Sequence, residues 1–218
     1  AVTTCALARR VDGMIHNGTA YLGDDVFNTS GAGQTHSRTT NPNSAAVYLA
    51  RFYNDGNAAD RVKVIGTKGN SAWQVKYVDY STGTDITGAV TGTGWTTPAL
   101  GAAKYRLIRL EVTPSAGTAG NTSVSSVLTA TSVSDGTKRD AVKATTTCAL
   151  VRKPDGMIHN GSAYVGDEVF NTTAAGQSVS RTVNPNAVAA YILRFYNDGN
   201  SADSFWINGR QGNSAWQV

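Results

Sequence analysis

The chain has 218 residues, a formal net charge of +4, and 16% charged against 40% hydrophobic residues. That balance excludes disorder driven by excess charge, and no run reaches the roughly 18 to 20 apolar residues of a membrane span. The basic residues stand singly or in pairs such as Arg9-Arg10, Lys138-Arg139 and Arg152-Lys153. Without a stripe of interleaved aromatics they make no nucleic-acid groove. Gly, Ala, Thr, Ser and Asn fill much of the remainder, a composition of strands and turns that predicts an all-β chain.

In chain order, residues 1–44 carry Asp12-Gly13, Asn17-Gly18, Gly23-Asp24-Asp25 and Gly31-Ala32-Gly33 around short apolar pieces such as Tyr21-Leu22 and Val26-Phe27. They read as a compact β-rich connector. Residues 45–53 form a run of aromatic and β-branched side chains, followed by Asn54-Asp55-Gly56-Asn57 and the alternating stretch 61–65. That combination predicts a hairpin. Residues 73–78 alternate again, and Gly83, Gly88, Gly92 and Gly94 mark the next stretch as loop. Further strands are expected at 105–112, 122–131 and 140–145, separated by the Pro114–Gly120 break and the Ser134–Thr137 turn. Short strands at such spacing predict an antiparallel sandwich.

At Cys148 the sequence starts again. Residues 5–75 recur at 148–218, a gapless offset of 143, with about two-thirds of the 71 paired positions identical. Ala1-Val-Thr-Thr-Cys5 also echoes Ala144-Thr-Thr-Thr-Cys148. The expected organisation is a connector at 1–44, a sandwich at 45–147, a second connector at 148–187, and the first strands of a second sandwich at 188–218. Two or three strands without partners would leave an apolar face open. The expectation is therefore a window on a longer array of repeats rather than a complete subunit.

Four features of residues 45–147 resemble bacterial extracellular immunoglobulin-like modules: the strand ending in Asn54-Asp55-Gly56-Asn57, the Trp73 strand, Pro98-Ala-Leu-Gly101 before the strand of Leu107, Ile108 and Leu110, and the closing Leu128-Thr-Ala-Thr-Ser-Val-Ser-Asp135. The resemblance implies an immunoglobulin-like β-sandwich serving as spacer, stalk or adhesive module, without catalytic residues of its own.

Site chemistry is sparse. No Gly-x-Ser-x-Gly elbow is present, and His16, its copy His159 and the unpaired His36 read as structural residues, so no enzyme is expected. Calcium is the one ion suggested: Asp24 and Asp25, with copies Asp167 and Glu168, offer hard oxygens in a Gly-rich segment, although no EF-hand pattern surrounds them. Solvated turn acids are the simpler reading. Cys5 and Cys148 cannot pair within one repeat, which leaves buried thiols or intermolecular bonds. Asn17, Asn28, Asn121, Asn160 and Asn171 head Asn-x-Ser/Thr sequons. The expected function is a structural repeat of an extracellular or cell-surface fibre whose partners are further copies of the same repeat. The alternative is an adhesin or carbohydrate-binding module holding glycans through Tyr21, Tyr53, Tyr77, Tyr80 and Trp95.

Overall fold

In the computed structural model, which describes residues 1–218, the chain divides into two units, Ala1–Ala149 and Leu150–Val218. Unit 1 contains β1 (Val11–His16), β2 (Tyr21–Leu22), β3 (Thr35–Thr40), β4 (Ala46–Asn54), β5 (Val62–Gly66), β6 (Trp73–Asp79), β7 (Thr84–Asp85), a helical turn α1 (Thr87–Val90), β8 (Trp95–Thr96), β9 (Tyr105–Pro114), β10 (Ser123–Ser132) and β11 (Arg139–Cys148). They build two sheets, ordered β2-β1-β4-β9-β6-β7 and β3-β11-β10-β5-β8.

The alternation legible in the sequence sets the core. Ala46, Tyr48, Ala50 and Phe52 of β4 and Ile108, Leu110 and Val112 of β9 point one way. They pack with Val62 and Val64 of β5, Leu128 and Ala130 of β10, and Val142 and Ala144 of β11 from the other sheet. The result is an all-β sandwich with its core between two sheets.

Four expectations are corrected. Residues 1–44 are not a connector: β1 pairs with β4 in the first sheet, and β3 pairs with β11 in the second. The Asp12-Gly13 pair looked like a turn, yet it lies mid-strand, with Gly13 leaving room for a neighbour described below. The β3–β11 ladder is parallel, so the sandwich is not wholly antiparallel. β4 and β5 are not a hairpin, because they belong to opposite sheets. Asn54 fixes that crossover, its Nδ2 donating to the carbonyls of Ala58 and Leu100, while Asp60 bridges Leu100. Finally, the Gly-rich stretch after Asp79 holds β7 and α1, with Val90 fully buried.

Unit 2 contains β12 (Pro154–His159), β13 (Tyr164–Val165) and β14 (Leu193–Asn197), in the order β13-β12-β14. Its pairs, Pro154 with Asn197 through Ile158 with Leu193, repeat those of Val11 with Asn54 through Ile15 with Ala50. The expected boundary between residues 187 and 188 is therefore not a break, since β12 and β14 from its two sides pair.

Candidate functional site

The most developed polar site of unit 1 is a carboxylate latch. Asp140 stands near the start of β11, fully buried. Its Oδ2 accepts from the Gly13 amide at 2.6 Å and from Gln34 Nε2 at 2.8 Å. Its Oδ1 accepts from the amides of Asn28 at 2.9 Å and Ala141 at 2.8 Å. Gln34, also fully buried, donates further to the carbonyls of Gly13 and Val26. One carboxylate from the last strand thus ties together β1 and the 23–34 loop. This satisfies buried amides that would otherwise be unpaired. A Cβ at Gly13 would lie 3.2 Å from Asp140 Oδ2 and 3.2 Å from the Phe52 ring, so glycine is what admits the latch.

Beside it lies Asp12, whose Oδ2 accepts from the Asp25 amide at 3.3 Å while its Oδ1 is buried without a partner. Burial raises its pKa to about 7, against the opposing Asp25 amide, and the charges of Asp140, Asp24 and Asp55 push the same way. Burial raises Asp140 too, although its amide and Gln34 donors oppose the shift.

Unit 2 carries half of this arrangement. Gln177 donates to the carbonyls of Gly156 at 2.8 Å, Val169 at 2.6 Å and Gly166 at 3.4 Å, as Gln34 does to their copies. The Glu168 amide donates to Asp155 Oδ2 at 3.1 Å, and Glu168 shares the φ of +58° found at Asp25. The carboxylate in the place of Asp140 has no counterpart in residues 150–218, and no side-chain acceptor meets the amides of Gly156 or Asn171. Side chains whose copies fill the core of unit 1 are exposed in unit 2. Tyr48 is 1% exposed and its copy Tyr191 43%; Phe52 is 0% and Phe195 43%; Trp73 is 7% and Trp216 67%.

The residues singled out in the sequence fall into place as follows. Asp25 pairs with Arg10 at 2.8 Å, and Glu168 with Lys153 at 2.7 Å. Asp24 and Asp167 are exposed turn residues, and no group of three or more His, Cys, Asp or Glu is arranged to hold a metal ion. Cys148 is buried at the end of β11 with Sγ 3.5 Å from the Thr118 carbonyl, and Cys5 is exposed. Cys148 therefore belongs to the core of unit 1 rather than to the start of the next copy.

Of the sequon residues, Asn28 and Asn171 commit Nδ2 to the carbonyls of Ala32 and Ala175, inside turns. Asn17 and Asn160 use Oδ1 to accept from backbone amides two and three residues on. Asn121 is exposed, at φ +63°. His16 and His159 each accept an amide hydrogen bond at Nδ1 from Gly18 or Gly161 and pack edge-on against Tyr21 or Tyr164. They end β1 and β12, and their rings hold the turns that follow.

The aromatic candidates separate. Tyr77 is buried, its hydroxyl donating to the Thr67 carbonyl at 2.8 Å. Tyr21 and Tyr53 share the outer face of the first sheet with Tyr105, which stacks near Tyr53, and Arg51 lies over the rings of Tyr21 and Tyr105. Arg194 lies likewise over Tyr164, the copy of Tyr21, and also over Tyr196, the copy of Tyr53. Tyr80 is exposed, and half-buried Trp95 lines a shallow groove with Arg61, Asp79 and Arg106. Sequence reasoning missed the latch. Gln34 and Asp140 lie 106 residues apart, and the signal available was that Gln34 and Asp12 both recur in the second copy.

No family model matches the chain, and no curated protein matches it. Several solved structures resemble it in part. A FixG-related protein from Vibrio parahaemolyticus is 7% identical with a TM-score of 0.36, over 63% of this chain and 95% of that one. The N-terminal domain of PorA is 13% identical at 0.35, over 62% and 96%. BcpA, the major pilin subunit of Bacillus cereus, is 10% identical at 0.32, over 86% and 55%. Likenesses of this size carry no argument about what the chain does.

Proposed function

We propose that the chain is a non-catalytic structural repeat of a bacterial extracellular fibre, filament or surface stalk. The observation that carries this reading is the repetition itself: residues 5–75 recur at 148–218, and β12 pairs with β14 in the same register as β1 with β4. Repeats that each bury a core and differ little in sequence supply length rather than varied chemistry. The bacterial and extracellular parts of the reading rest on the resemblance of residues 45–147 to bacterial immunoglobulin-like modules. Further copies of the repeat are its partners.

The buried position of Cys148 speaks against a covalent link through that thiol. The Arg51–Tyr21 pair, repeated as Arg194–Tyr164, with Tyr105 or Tyr196 also beside the arginine, favours a second reading, an adhesive module whose outer face holds glycans. Negative-stain images of the native material separate the two. Uniform fibres with a regular repeat are expected, and discrete monomers that bind a glycan array would overturn the fibre reading in favour of the second.

A further inference from the structure

The groove beside Trp95 is built wholly from unit 1. β7 is the last strand of the first sheet and β8 the last of the second. A groove of about 500 Å³ is lined from both, by Thr84 of β7 and Trp95 of β8.

Its charged part is an ion pair between strand ends. Asp79 closes β6 and is buried, and its Oδ2 accepts from Arg106 Nη2 near the start of β9. Asp79 Oδ1 accepts from the Ser81 amide at 3.2 Å, and Arg106 Nε is buried without a partner. Half-buried Trp95 packs against the core and is held in place by its own strand. Trp95 pairs with Val64, and Thr97 bonds Val62 through its amide at 2.9 Å and its hydroxyl at 3.0 Å. The indole is therefore placed before any ligand arrives. From the first sheet come the hydroxyls of Thr82 and Thr84, 2.9 Å apart.

A fixed aromatic ring among hydroxyls and a carboxylate–guanidinium pair matches a sugar, which has an apolar C–H face and a rim of hydroxyls. An extended peptide fits less well, because β7 and β8 are two residues each and offer little strand edge to pair with. The lining carries two arginines against one carboxylate, and Arg106 already occupies that carboxylate. Exposed Arg61 is left to meet an anion, and its planar fork suits a ligand carboxylate.

We propose that this groove binds an acidic saccharide, a hexuronate unit of a polysaccharide, with the sugar ring on Trp95 and its carboxylate on Arg61. The site uses different residues from the Arg51 and Tyr21 face. It does not depend on whether the chain forms fibres.

Calorimetric titration of the full chain with an oligogalacturonate tests this, beside a neutral galactose oligomer and an oligoglutamate. The oligogalacturonate is expected to bind about tenfold or more tightly than either. R61A and W95A should each weaken it by about tenfold or more, and R51A should leave it unchanged. Because Trp95 also touches the core, R61A at an exposed position keeps the test decisive where W95A lowers stability. No binding of oligogalacturonate, equal binding of the neutral oligomer or the oligoglutamate, or unaltered affinity in R61A would overturn the proposal. Loss of binding in R51A but not in R61A would overturn it too, while supporting glycan capture on the outer face. Fibres in negative-stain images would stand under any of these results.

Discussion

β1, β2 and β4 of unit 1 and β12, β13 and β14 of unit 2 hold the same pairing register, yet their inward side chains are buried in one and exposed in the other. The comparison separates what the first half of the repeat does alone from what the second half supplies. The β1–β2 hairpin, the left-handed turn at Asp25 or Glu168, and the three carbonyl bonds of Gln34 or Gln177 form in both. β4 begins at Ala46, whereas β14 begins at Leu193, the copy of Ala50. The four residues lost are those of β4 that pair with β9 and not with β1. The copies of β3 and β5 are likewise not strands, because their partners β11 and β10 are contributed by the second half. Local sequence builds the hairpin and the loop; long-range pairing builds the sandwich.

That division can be broken most sharply at the latch. D140A removes the acceptor of three amides and of Gln34, leaving buried donors unpaired at about 1–3 kcal/mol each. The melting temperature of unit 1 is expected to fall by roughly 10 °C or more, whereas the amide-exchange rates of β12 and β13 stay unchanged. Slower or equal melting would show that the latch is not what joins the halves.

A smaller effect follows from Asp12. An acid whose folded pKa is raised from 3.8 to about 7 stabilises the fold fully below pH about 4 and loses that contribution as the pH climbs through 7. The difference is on the order of 3–4 kcal/mol for this buried group. Unit 1 should therefore melt several degrees lower at pH 8.5 than at pH 5.5. D12N, which removes the titrating group, should flatten that slope in a thermal scan across the same pH range.

The mildest contrast is at glycine. A methyl group at Gly13 meets Asp140, Phe52 and Val142 at 3.2 to 3.3 Å, while at Gly156 the nearest atom, in Phe195, is at 3.5 Å. G13A should cost about 1–2 kcal/mol by urea unfolding. G156A should stay within about 0.5 kcal/mol, helped by the lower entropy of the unfolded chain.

Much of unit 1 is legible in the sequence. Residues 45–53, 61–65, 73–78, 105–112, 122–131 and 140–145 all fall on observed strands, because alternation with a buried face is a local pattern. β1 and β3 are not legible. Asp12-Gly13 imitates a turn, and Thr35–Thr40 is a polar edge strand held by parallel pairing to residues over a hundred positions away. The sheet change after Asn54 is hidden as well, since an Asn-Asp-Gly sequence serves a hairpin or a crossover equally. The candidate site was visible only as a shortage of strands. Its polar half depends on Asp140, which nothing near Gln34 in sequence announces.

The most direct test of the division between the halves is hydrogen exchange on the intact chain, comparing residues 46–49 with residues 189–192. These are sequence copies that differ in having β9 alongside. The amides of Tyr48 and its neighbours that bond β9 are expected to exchange at least a hundredfold more slowly than those around Tyr191. Equal protection of the two segments would contradict the conclusion that the second half of the repeat, and not the local sequence, completes the sandwich.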